Sequence, residues 1–148
     1  MNDPIRRLGS EEVARAADVV RTFKGQSRPP GSLTAFLGNP ANYLLVAEVG
    51  NELAGFLMAY RLDRADREES QMFVYEVEVA EPWRRRGIAS ALVREIIGMA
   101  RVERMFEVFV LTSQSNEAAR RLYARAGGRV EDESSLMFVF PLGLKGAV

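Results

Sequence analysis

The sequence predicts one α/β domain, a mixed central sheet of about seven strands flanked by four helices. Three observations lead there. Short apolar runs over 43–49 and 52–62 and an alternating one over 72–79 read as strands, whereas apolar residues recur at helical spacing over 10–25 and 88–104. The two kinds of segment interleave along the chain, with no repeat, linker or low-complexity stretch between them. The 148 residues are 47% hydrophobic and 27% charged, enough to bury one core without disulfide staples.

Ile5-Arg6-Arg7-Leu8 reads as a short first strand. Ser10 is placed to cap a helix that carries Val13, Ala16, Ala17, Val20 and Phe23, with Glu11-Glu12 in its first turn. Gly25 and Arg28-Pro29-Pro30-Gly31 break it before a short helix over Ser32–Leu37. Tyr43–Val49 and Glu52–Leu62 form a hairpin about Gly50-Asn51. After a charged connection over Asp63–Gln71, Met72–Val79 is a strand with Phe73, Tyr75, Val77 and Val79 on one face and Val74, Glu76 and Glu78 on the other. Ile88–Arg104 is a helix, Phe106–Leu111 a strand, and Asn116–Arg125 a helix stopped by Gly127-Gly128. Arg129–Glu131 and Leu136–Phe140 read as two closing strands.

Cysteine and histidine are both absent. That excludes disulfide scaffolds, Cys/His zinc sites, thiol nucleophiles and Ser-His-Asp triads, and no metal site is expected. A general base must then be a carboxylate, a lysine, a tyrosine or water. Only Lys24 and Lys145 are lysines among the 20 basic residues. No apolar signal core and no run of ~18 apolar residues is present, which predicts a cytoplasmic protein without a membrane partner. The net charge is zero but uneven: 48–81 holds nine acids and three arginines, 82–129 ten arginines and four glutamates. Such asymmetry suits one cationic and one anionic ligand, or else records clustering on solvated faces. A neutral chain without interleaved aromatics gives no reason to expect nucleic acid.

The most informative stretch is Val77-Glu78-Val79-Ala80-Glu81-Pro82-Trp83-Arg84-Arg85-Arg86-Gly87-Ile88-Ala89. A strand runs through a short loop into a glycine at the head of a long helix. Unpartnered N–H groups there, helped by the helix dipole, suit a phosphate, although neither the P-loop nor the GxGxxG pattern is present. Glu76 and Glu78 share one strand face, where they would attract a cation or relay a proton, or one would pair with an arginine such as Arg61.

Arg84-Arg85-Arg86-Gly87-Ile88-Ala89 resembles the Gln/Arg-x-x-Gly-x-Gly/Ala motif of the GNAT superfamily of N-acetyltransferases. The stretch from Asn116 to Gly127 resembles that family's second motif, Asn-x-x-Ala-x-x-Leu-Tyr-x-x-x-Gly. The resemblance covers nearly the whole chain and implies a GNAT fold, with acetyl-coenzyme A as cosubstrate. It implies that Val77, Val79, Arg84, Arg85, Arg86, Gly87, Ile88, Ala89 and Asn116 bind the coenzyme, whose pantetheine lies between splayed strands over 72–79 and 106–111. It implies that the Val79 N–H polarises the thioester carbonyl and that Tyr123 protonates the departing thiolate, whereas by itself Tyr123 reads equally as core packing and Asn116 as a helix cap.

Tyr43–Ala59 and Met72–Ala89 are further similar to the small aminoglycoside 3-N-acetyltransferases of the gentamicin/fortimicin type, through Phe73-Val74-Tyr75-Glu76-Val77 and the arginine-rich loop. The Asn116 segment looks more like the wider superfamily. That similarity implies a cationic aminoglycoside acceptor at Glu76 and Glu78, with antibiotic resistance as the outcome. Asp132, Glu131 and the acids at 63, 66, 68 and 69 are secondary candidates for attracting the cation. Another polyamine, a protein N-terminus, or silent acyl-coenzyme A sensing are the alternatives. A homodimer is left open.

Overall fold

The computed structural model describes residues 5–25 and 30–144. They fall into two compact units, divided between Leu111 and Thr112.

The first unit is a five-stranded sheet in the order β1-β2-β3-β4-β5: β1 (Ile5–Arg7), β2 (Asn42–Val49), β3 (Glu52–Leu62), β4 (Gln71–Val79) and β5 (Glu107–Val110). The first four strands pair antiparallel, and β5 joins β4 in parallel through the crossover helix α3 (Ile88–Val102). Helix α1 (Val13–Lys24) and helix α2 (Pro30–Gly38) cover one face. There Ala16, Val19 and Leu33 pack with Leu44, Val46 and Phe56. Helix α3 lies on the opposite face, where a Cβ on Gly55 would meet Ile88 and Leu92 at 3.3 and 3.4 Å. Leu57, next on that face by alternation, is fully buried. Leu57→Ala is expected to cost about 2–5 kcal/mol, read from denaturant unfolding.

Helix α1 starts two residues later than the Ser10 cap predicts. Ser10 does not cap; Glu12 stands at the helix head, and its carboxylate accepts the Gly9 N–H at 3.0 Å. Gly25 does end the helix, with φ at 63°. Arg28 and Pro29 lie outside the described residues, and α2 begins at Pro30, where a proline suits a first helical turn. Glu48 of β2 anchors both neighbours, accepting from Arg6 Nε at 2.6 Å and Arg15 Nε at 2.9 Å. The Arg6 hydrogen bond, then that of Arg15, holds the Glu48 carboxyl below its ordinary range. A depressed folded-state pKa gives stability that is full above the unfolded value of about 4.3 and is lost as pH falls through the folded one. Acid melts should show Glu48→Gln losing less stability than the parent between pH 5 and pH 3, figures set by about that reference value.

Two features differ from expectation in this unit and the next. In β4, Met58 pairs with Glu76 and Ala59 with Val74, so Tyr75 is an extra residue in a bulge. A bulge resets the alternation. Phe73, opposite Tyr60, and Tyr75, whose ring lies 5.9 Å from those of Tyr60 and Phe73, therefore share a face with Glu76 and Glu78, while Val77 and Val79 turn toward α3.

The second unit carries α4 (Glu117–Arg125) and no strand among the described residues. Arg129–Glu131 and Leu136–Phe140 are not strands, so the sheet has five strands rather than about seven. An apolar run favours a strand but cannot make one without a partner ladder; Leu136, Met137, Phe138, Val139 and Phe140 are all exposed here. Among the described residues, no helix is long and apolar enough to cross a membrane.

Candidate active site

Between β4 and α3 the chain makes a 3-10 turn over Glu81–Trp83 and then reaches Gly87 at φ 78°, the head of α3. The Ala91 N–H bonds the Gly87 carbonyl at 3.0 Å, so the N–H groups before it are the ones a helix start leaves without backbone acceptors. A Cβ on Gly87 would meet no protein atom within 4 Å. The backbone at this point faces open space, as an anion cradle requires. The three arginines differ. Arg84 Nε turns back to the Val79 carbonyl at 3.0 Å, and Arg86 lies over Trp83 at 5.0 Å from the ring centroid. Arg85, itself at φ 65°, has no ion-pair or hydrogen-bond partner among the described residues.

The adjoining half of β4 has an edge to spare. Parallel pairing with β5 runs only from Gln71 and Glu107 to Val74 and Val110. Beyond the bulge at Tyr75, Glu76–Val79 pairs on the β3 side alone among the described residues. The Ala80 N–H bonds Ala54 at 2.8 Å on the β3 side, so by alternation the backbone groups of Val79 and Val77 point to the other side. Alternate residues of this half-strand thus present backbone groups at the edge and carboxylates on the face.

On that face Glu76 is paired, with Lys24 at the end of α1 donating to it. Arg61, the arginine expected there, instead pairs with Asp63 at 3.4 Å. Glu78 is half-buried with no ion-pair or hydrogen-bond partner among the described residues. A row of rings adjoins the two carboxylates: Phe36, Tyr60, Tyr75, Phe73 and Phe109 lie at successive centroid distances of 6.2, 5.9, 5.9 and 4.9 Å. Sequence reasoning missed Lys24 and this row. The rarity of lysine was a usable signal for the first, but nothing short of the bulge reveals the second.

The charged connection is mostly self-neutralised. Asp66 binds Arg64 and Glu69 binds Arg67, each at 2.6 Å, and Asp63 also accepts from Ser70 at 2.7 Å.

In the second unit, Asn116 caps α4 by accepting the Ala119 N–H at 3.0 Å. Tyr123 is half-buried on α4, and burial raises its phenol above the ordinary value. Its hydroxyl has no partner among the described residues, so its proton is retained at neutral pH and free to donate. Gly128 bonds back to the Tyr123 carbonyl at 2.9 Å, too close for a side chain without adjustment. Asp132 is engaged locally, accepting from Ser134 and Ser135. Among the described residues, no group of three or more acids is placed to hold a metal.

The model of the acetyltransferase (GNAT) family matches residues 12–128, from α1 through α4. This chain belongs to the GNAT family. Members of that family generally use acetyl-coenzyme A. Over 82 residues it is 32% identical to N-acetyltransferase 8F1 of Rattus norvegicus, a match that covers 55% of this chain but only 37% of that relative. Among solved structures, an aminoglycoside acetyltransferase, HMB0005, from an uncultured soil metagenomic sample superposes with a TM-score of 0.85 at 27% identity, over 96% of this chain and 99% of that one. A second, meta-AAC0020 in complex with trehalose, also from an uncultured soil metagenomic sample, superposes with a TM-score of 0.86 at 22% identity, over 93% and 95%. The same enzyme with sisomicin gives 0.82 at 24% identity over the same shares. At 22–24% identity the likeness concerns the fold.

Proposed function

We propose that this GNAT acetyltransferase moves an acetyl group from acetyl-coenzyme A to an amino group of a polycationic small molecule, an aminoglycoside first among candidates and its 3-amino group the expected position. The observation that carries the reading is the half-strand Tyr75–Val79. It offers carboxylates Glu76 and Glu78 to a cation on one face, and at its edge the backbone of Val77 and Val79, continuous with the helix head at Gly87. The likeness to the aminoglycoside acetyltransferase HMB0005, at 27% identity, supports the same acceptor class.

Acetyl-coenzyme A, when bound, supplies the acetyl group as a thioester. The open backbone at Gly87, with Ile88, Ala89 and the flanking arginines, fits its pyrophosphate, and the edge of Val77 and Val79 fits its amide-bearing arm. Glu76 holds an ammonium of the acceptor, as it already holds that of Lys24. Glu78, unpaired, takes a proton from the attacking amine. The amine nitrogen bonds the acetyl carbon, the carbon–sulfur bond breaks, and the thiolate takes the Tyr123 proton. The Val79 N–H faces the developing oxyanion. With no cysteine in the chain, direct transfer between two bound substrates is the simplest course. Asn116 serves as a cap beside any contact with the coenzyme, and Asp132 adds long-range attraction for the cation. Cytoplasmic location and a resistance role follow from this reading of the acceptor.

The two carboxylates are expected to respond differently. Glu78→Gln should lower kcat by roughly tenfold or more, with part of the loss recovered at higher pH, where more of the amine is already deprotonated. Glu76→Gln should mainly raise KM for the amine. Steady-state thiol release with sisomicin checks both. Parental constants in both variants would move the acceptor groove elsewhere. A sensor, the rival reading, would bind the coenzyme and release no thiol.

A further inference from the structure

Lys24 is one of only two lysines in a chain whose other basic residues are all arginine. It lies in the last turn of α1, held there by the Gly25 cap, and its ammonium donates to Glu76. The same nitrogen stands 5.8 Å from the centroid of the Phe56 ring, on the face that carries both carboxylates. A carboxylate oxygen and an aromatic face are the two partners a primary alkylammonium seeks. Arginine, planar and forked, would fill this space differently; lysine places a compact ammonium on a flexible stem.

From this we infer that Lys24 is a built-in stand-in for the acceptor's ammonium: it occupies the Glu76 subsite, and an acceptor amine must displace it to bind. The inference rests on the acetyl-transfer reading of this face. Both partners are partly solvated, with side-chain exposures of 39% for Lys24 and 25% for Glu76. A pair of that kind is weak enough to exchange. Its consequence is selectivity. Acceptors with several amines offset the displacement through further contacts, while a simple monoamine competes poorly. The apparent affinity of every acceptor is reduced by the fraction of time that Lys24 holds the subsite.

Lys24→Met keeps the stem and removes the ammonium. With sisomicin as probe, KM and the calorimetric Kd are expected to fall about two- to fivefold, with kcat within about twofold of the parent. Lys24→Arg, which restores a cation, should return KM to the parental value or above it. Arg21→Met removes a cation one turn away that pairs with Asp18, and should leave KM unchanged. An unchanged or raised Kd in a folded Lys24→Met protein, or an equal fall in Arg21→Met, overturns the inference. The two readings fail separately. Tighter sisomicin binding by Lys24→Met without thiol release from either protein upholds the subsite and overturns acetyl transfer. Thiol release with equal affinities does the reverse, and absence of sisomicin binding to both proteins overturns both.

Discussion

Gly87→Asp is expected to abolish binding of acetyl-coenzyme A while the chain still folds. The residue has φ 78°, a conformation that disfavours any side chain by about 1–2 kcal/mol. A Cβ there meets no protein atom within 4 Å, so the substitution is tolerable to the protein itself. Its effect falls on whatever approaches the backbone from outside. A carboxylate at a helix head that otherwise attracts anions both crowds and repels a pyrophosphate. Gly87→Ala, with the crowding but not the charge, should fall between parent and Gly87→Asp. Calorimetry with acetyl-coenzyme A reads the affinity and a thermal melt reads the fold. Parental affinity in folded Gly87→Asp would remove the helix head from the binding site.

Tyr123→Phe is expected to slow the single-turnover rate of acetyl transfer by about 10²–10⁴, the range of a positioned general acid. Coenzyme affinity should change little. The ring is half-buried, and the hydroxyl has no described partner to lose. The melting temperature should therefore stay near that of the parent, since the packing area is kept. Burial already holds the phenol above its ordinary value, so the proton is present throughout the neutral range. Single-turnover measurement isolates the chemical step from product release. A parental single-turnover rate would leave water as the proton donor and Tyr123 as a packing residue.

Most of the first unit was legible in the sequence because its elements follow simple periodicities. The hairpin about Gly50-Asn51, the long helix ending near Val102 and the strand entering it need only alternation, helical spacing and turn residues. What failed shares a physical reason. The period-two reading of β4 placed Phe73 and Tyr75 opposite Glu76, yet a one-residue bulge brings them to one face, and a bulge is set by the partner strand rather than by local propensity. The sequence points to an arginine such as Arg61 as the partner of Glu76 or Glu78, but Arg61 lies three strand positions from Met58, which stands opposite Glu76, whereas Lys24 arrives from 52 residues away along the chain. Leu136–Phe140 has strand composition but no partner ladder among the described residues. The glycine-headed start of α3 at Gly87 was legible because it depends on local backbone alone: a strand, a short loop and a glycine in the left-handed region.

In the proposed function, an amine on the Glu76–Glu78 face accepts an acetyl group from a thioester held along the Val77–Gly87 backbone. The measurement that tests it most directly is thiol release from acetyl-coenzyme A against a panel of amines, with the acetylated product identified by mass. The panel runs from sisomicin and other aminoglycosides through spermidine to a peptide with a free N-terminus and a monoamine. Turnover is expected with the polycationic members, aminoglycosides foremost, with a product heavier by one acetyl group, and that turnover is expected to be lost in the Glu76→Gln, Glu78→Gln double variant. Tight coenzyme binding with no thiol release from any amine would contradict it, as would full activity in the double variant.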